Sequence, residues 1–129
     1  MENPGTDTRL LKRYIRDSVN DARLLIAERE LNEFSDNAKS ILIIGKGNNR
    51  IREIISQLRI QLDAIDLTNV HKVLYCIFYN PNSSNELHIK EVYTIFQFFD
   101  RFSELIPTIG LYQNEKLDDD VELIIIFEQ

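Results

Sequence analysis

Ile41-Leu42-Ile43-Ile44-Gly45-Lys46-Gly47-Asn48-Asn49-Arg50 joins an apolar strand to a helix. The strand runs from Ile41 to Ile44 and ends at Gly45. Asn48 or Asn49 then caps a helix to about Ala64, with Ile51, Ile54, Ile55, Leu58 and Leu62 on one face. Downstream, Lys72 to Tyr79 is rich in β-branched and aromatic residues and reads as a second strand. Pro81-Asn82-Ser83-Ser84-Asn85 is turn chemistry. A helix of about 87–105 follows, carrying Ile89, Val92, Ile95, Phe96, Phe99 and Phe102. Thr108–Gln113 and Val121–Glu128 are the last strands.

Upstream, residues 1–7 are polar with Pro4 and Gly5, and read as a frayed start. Asp7 or Thr8 caps a helix from about 8 to 30. Its apolar positions are Leu11, Ile15, Ala22, Leu25 and Ile26, with Tyr14 and Val19 at the margin, which is helical spacing. Residues 31–39 are loop-like. The domain plan is therefore an N-terminal helix and connecting loop, 1–39, followed by an α/β unit, 40–129. The element order is α-β-α-β-α-β-β.

The strands are apolar on both faces. In Lys72–Tyr79, Val73, Tyr75 and Ile77 oppose Leu74, Cys76 and Phe78. In Val121–Phe127, Val121, Leu123, Ile125 and Phe127 oppose Ile124 and Ile126. Such a sheet needs cover on both sides. The two crossover helices share one side by the handedness rule if the sheet grows in one direction. The N-terminal helix is left for the other, giving a three-layer sandwich, unless a partner supplies the cover in a two-layer dimer.

Composition narrows the function classes. The chain has 129 residues, 43% apolar, with four Gly and three Pro, which fits one globular domain with a real core. Its formal charge is −6, which disfavours non-specific nucleic-acid binding. Apolar runs such as Leu123–Phe127 are too short to cross a bilayer, and Met1–Thr8 has no signal-peptide core. A single cysteine, Cys76, excludes an internal disulfide and fits a cytoplasmic setting.

Each short motif also has a structural reading. Gly45-x-Gly47-x-x-Arg50 at a helix start is able to hold an anion. It lacks the Gly-Lys-Ser/Thr of a phosphate loop and the third Gly of a dinucleotide fingerprint, so a structural turn with Arg50 solvated or salt-bridged is favoured. Lys46 and Arg50 are the residues to test for an anion. Asp118-Asp119-Asp120, with Glu115 and Glu122, lacks the spacing and glycine of a metal loop and reads as a solvated loop beside an apolar strand. His71 and His88 have no partners at zinc spacing and fit surface positions. Cys76 lies mid-strand, where burial makes a thiol inert. The helix aromatics Tyr93, Phe96, Phe98, Phe99 and Phe102 cover more than one face, leaving some for a contact surface.

Taken in order, the motifs of residues 40–128 resemble the C-terminal domain of the tubulin/FtsZ family. The residues carrying the resemblance are Gly47, Asn49 and Arg50; Leu87, Glu91 and Val92; Ile109-Gly110; Leu117-Asp118-Asp119-Asp120; and the strand Val121–Phe127. The resemblance implies an α/β (α+β) fold with a mixed four-stranded sheet in order 1-4-2-3, the last strand antiparallel. That is a β-α-β-α-β-β core plus the N-terminal helix, which would resemble the family's central helix. The family's GTPase half carries a Gly-rich phosphate loop, and no such loop precedes residue 40. The family's acid-bearing loop has its nearest match at Asn32-Glu33-Phe34-Ser35-Asp36, where Phe34 and Asn37 stand at the acid positions. No catalytic role is carried over to Glu33 or Asp36.

The expected function is a non-enzymatic assembly module, bacterial and related to cell division or the cytoskeleton, whose partner is a protein: itself or an FtsZ-like filament. No cofactor, metal, nucleic acid or membrane is expected. The candidate interaction residues are Asn32, Glu33, Asp36, Lys46, Asn49, Arg50, Asp118 and Asp119. The alternative is a small enzyme or small-molecule binder with an intersubunit site on the same topology.

Overall fold

A computed structural model describes residues 7–65, 67–102 and 105–129, without the side chains at 67, 101 and 102. The expectations for residues 1–6 and for the Phe102 side chain lie outside these described residues. The elements are α1 (Thr8–Asp17), β1 (Ala22–Leu24), α2 (Glu28–Asn32), β2 (Lys39–Gly45), α3 (Arg50–Asp63), β3 (Lys72–Tyr79), α4 (Ile89–Phe102), β4 (Thr108–Gln113) and β5 (Val121–Glu128).

The sheet order is β1-β4-β3-β5-β2. β3 and β4 are parallel, and β5 runs antiparallel between β2 and β3. The four strands expected from the sequence thus stand in the order 1-4-2-3, with the last antiparallel. β1 is an addition. It pairs with β4 at Ala22↔Tyr112 and Leu24↔Leu111.

β1 lies inside the stretch expected to be one helix over 8–30. The Asp7 side chain caps that helix by accepting from the Arg9 and Leu10 amides. The helix stops at Asp17, where the Ser18 hydroxyl donates to the Tyr14 carbonyl and competes with the backbone ladder. The apolar spacing continued past that point by coincidence. Leu25 and Val19 are each 50% exposed. Ile26 is buried because its amide donates to Tyr112 Oη at 3.0 Å and its side chain fills the space above Gly110. The stretch 31–39 also starts within a short helix, α2, rather than a loop.

Two apolar layers flank the sheet. On one face Ile54, Leu58 and Leu62 of α3 and Ile95 and Phe99 of α4 pack on Tyr75, Ile77, Leu123 and Ile125. On the other, Leu11 and Ile15 of α1 pack with Ile26, Leu31 and Phe34 on Leu74, Cys76, Phe78, Ile124 and Ile126. The three-layer arrangement follows from the two-sided apolar strands. Tyr14 ties α1 to the sheet: its ring stacks on Phe78 with centroids 4.4 Å apart, and its hydroxyl donates to Glu122 Oε1 at 2.7 Å. Among the described residues no helix is long and apolar enough to cross a membrane.

Candidate interaction site

The turn after β2 is shaped by two glycines. A Cβ on Gly45 would lie 2.2 Å from the Arg50 carbonyl oxygen, so only glycine lets α3 start this close to the strand. Gly47 has φ +69°, the left-handed region that glycine enters without strain. Asn49 occupies the position before α3, but its side chain makes no capping bond. The expected cap by Asn48 or Asn49 is absent at Asn49 because a single 3-10 turn, Gly47–Asn49, leads into the helix instead.

Arg50 is 2% exposed. Its Nε and Nη2 donate to Glu91 Oε2 and Oε1, each at 2.9 Å, in a two-pronged pair. Nη1 donates to the Asn85 and Asp119 carbonyls, both at 2.8 Å, and Nη2 also donates to the Glu86 carbonyl at 2.9 Å. A guanidinium has five N–H groups, and all five are used. Arg50 is therefore salt-bridged, not solvated. It retains no donor for an anion or a partner and acts as a positioning residue beneath the surface.

Glu91 serves a second purpose, accepting from the His88 amide at 3.0 Å at the start of α4. Partial burial raises its pKa. The Arg50 hydrogen bonds and the His88 amide outweigh that and hold it below the ordinary glutamate value.

The acidic loop is anchored, not freely solvated. Besides the Asp119 carbonyl bond to Arg50, the Ser83 hydroxyl donates to Asp119 Oδ1, and Asn82 Nδ2 donates to Glu115 Oε1 at 3.1 Å. Asp118 is exposed and has φ +51°, so it sits at the tip of the turn. Among the described residues, no three His, Cys, Asp or Glu side chains converge as metal ligands.

The eight candidate residues fall into two groups at opposite ends of the sheet, roughly 20 Å apart along a seven-residue strand. Lys46, Asn49, Arg50, Asp118 and Asp119 lie where β2 and β3 end. Asn32, Glu33 and Asp36 lie where those strands begin. At that second end Lys12, which is buried, donates from Nζ to the Phe34 carbonyl at 2.6 Å and to Asp36 Oδ1 at 3.1 Å. Glu128 accepts from the Ser35 amide at 2.8 Å. Lys72 approaches Glu33 at 3.5 Å, and Arg16 donates to Asn32 Oδ1 at 3.3 Å. Phe34 is 3% exposed and fills the core under α1. Glu33 and Asp36 remain exposed on this braced loop.

Sequence reasoning missed Lys12 as the brace of this loop. Its place between Leu11 and Arg13 gave no signal, because its acceptors lie 22 and 24 positions away. It also missed the role of Tyr14, which lies 108 positions from Glu122. Burial raises the Glu122 pKa; the Tyr14 hydrogen bond opposes the rise and Asp120 adds to it. Cys76 is fully buried, and its thiol pKa is pushed up by desolvation, so it is the inert residue expected. His71 and His88 are exposed. A groove between α3 and α4 has Ile55, Leu62 and Phe98 in its wall, beside Arg59 and Asp63.

No family model matches the chain, and no curated protein matches it. Among solved structures it is similar to an FtsZ from M. jannaschii described as an empty dimer, with a TM-score of 0.59 at 16% identity. The match covers 84% of this chain and 32% of that one, so this chain spans about a third of that FtsZ's length. The chain has an FtsZ-like fold, consistent with the α/β domain of that family's C-terminal half.

Proposed function

We propose that this chain is a non-enzymatic protein-interaction module of a cell-division or cytoskeletal assembly, working in the cytoplasm. The observation that carries the reading is the bracing of both sheet ends. Arg50 fixes the loops at 85–86 and 119 from beneath, and Lys12, Lys72 and Glu128 fix the loop at 33–36. Each end thereby presents exposed acids, Asp118 at one and Glu33 and Asp36 at the other, on a preset frame. A preset surface loses less entropy on association than a mobile one. The FtsZ-like fold supports the same reading by analogy: the similar M. jannaschii protein is described as a dimer. Contacts made through two different ends are heterologous and extend into filaments when the rotation does not close.

The test is analytical ultracentrifugation of the chain alone and with an FtsZ-like filament. Charge reversal at Glu33, Asp36 and Asp118 is expected to weaken association. Unfolding transitions stay near those of the parent for Glu33 and Asp118, whose exposed charges contribute little to stability, whereas reversal of Asp36 also lowers stability because it pairs with the buried Lys12. Filament binding and assembly beyond a dimer that stay unchanged in all three reversals would refute the reading. The non-enzymatic half is tested separately by titrating fluorescent GTP. No binding at micromolar nucleotide is expected, because the chain offers no Gly-rich phosphate loop.

A further inference from the structure

We propose that the outer face of α4 is a self-complementary contact through which two copies of this chain pair about a two-fold axis. The inner face of α4 is committed to the core through Ile95 and Phe99. Its outer face carries Lys90, Tyr93, Gln97 and Asp100, all exposed. Their spacing is three, four and three residues, which places them on one stripe of an α-helix.

The stripe reads as its own complement when a second copy runs antiparallel to it. Pairing Lys90 with the second copy's Asp100 also pairs Tyr93 with the second copy's Gln97, because both pairs are centred on the same point of the helix. A two-fold axis repeats each contact, so one register makes two Lys–Asp pairs and two Tyr–Gln contacts. Among the described residues neither Lys90 nor Asp100 takes part in an ion pair. Both charges are therefore available to a partner.

Exposed apolar side chains accompany the stripe. Tyr93 is 60% exposed in the stripe. Ile89 opens α4 at 85% exposure, and Ile106, four residues past its end, is 95% exposed. These are the two most exposed large apolar side chains among the described residues, and they flank opposite ends of the helix. In the antiparallel register Ile89 of each chain lies at one end of the contact, next to a Lys90–Asp100 pair. The contact is one helix of 14 residues, about 21 Å long, so it belongs to the small, weak class of interfaces. It is separate from the braced loop ends and stands whether or not those ends bind a partner.

The experiment is sedimentation equilibrium of the full chain and of two variants, Lys90→Asp and Asp100→Lys, with circular dichroism as a control of folding. The parent is expected to dimerise reversibly at micromolar to sub-millimolar concentration. Each variant alone places like charges opposite one another at both ends of the contact. Its dimerisation is expected to weaken by roughly 10- to 100-fold. A one-to-one mixture of the two variants restores opposite charges in the mixed pair and is expected to recover dimer. The double variant Lys90→Asp/Asp100→Lys is expected to recover it too. A parent that stays monomeric up to about 1 mM would overturn the proposal. So would single variants that dimerise like the parent, or a mixture that stays monomeric.

Discussion

Arg50 and Glu91, 41 positions apart in the chain, meet in a two-pronged pair with both contacts at 2.9 Å. The pair joins the first residue of α3 to the first turn of α4, and the Asp119 carbonyl closes the group from the acidic loop. Three sequence motifs that look independent along the chain are one buried hydrogen-bonded cluster.

Removing one partner of that cluster should be costly. Arg50→Ala leaves three carbonyls and a partly buried carboxylate unsatisfied and is expected to destabilise by about 3–5 kcal/mol in urea unfolding. The double variant Arg50→Ala/Glu91→Ala is expected to lose less than the sum of the single losses, which a double-mutant cycle measures.

The same pair sets an acid limb in stability. The folded-state pKa of Glu91 lies below its unfolded value. Its contribution is therefore fully present above the ordinary glutamate range and is lost as pH falls through the lowered value. Glu122 runs the other way. Its folded pKa is raised, so its contribution is greatest at low pH and is lost as pH rises through that value. Glu91→Gln is expected to lower stability at neutral pH and flatten the acid limb. Glu122→Gln is expected to leave that limb in place. Urea midpoints from pH 3 to 7 distinguish them.

The two glycines of the β2–α3 turn should respond differently to the same substitution. Gly47→Ala meets open space and suffers only from its positive φ, for about 1 kcal/mol. Gly45→Ala drives a methyl to 2.2 Å from the Arg50 carbonyl, a backbone atom that cannot swing aside. It is expected to cost several times more and to disturb the Arg50 cluster. Thermal midpoints of the two variants, measured side by side, check the order.

The α1 layer is expected to be integral to the fold. Ile15 is 1% exposed, and Ile15→Ala should cost about 2–5 kcal/mol. Ile60 on α3 is 63% exposed, and Ile60→Ala should fall within about 0.5 kcal/mol of the parent. Equal losses at the two sites would contradict the three-layer packing.

Periodicity and turn chemistry by themselves determined the local elements from residue 39 onward, with boundaries good to one or two residues in the strands. The alternation of apolar side chains in Lys72–Tyr79 and Val121–Phe127 also required cover on both faces, because neither face of those strands tolerates water. The family resemblance supplied the strand order of the four-stranded core, which spacing could not give. Local signals failed between Ser18 and Asn32. The helical spacing of Ala22, Leu25 and Ile26 held on paper, yet pairing with β4 and the space over Gly110 selected a strand and a short helix. The candidate residues were legible as surface chemistry, and most of them are exposed. Only the tertiary structure decided that Arg50 lies beneath that surface and that Lys12 and Tyr14 brace it. The reason is physical: each of these side chains is fixed by acceptors 22 to 108 positions away, and sequence windows contain no information about partners that distant.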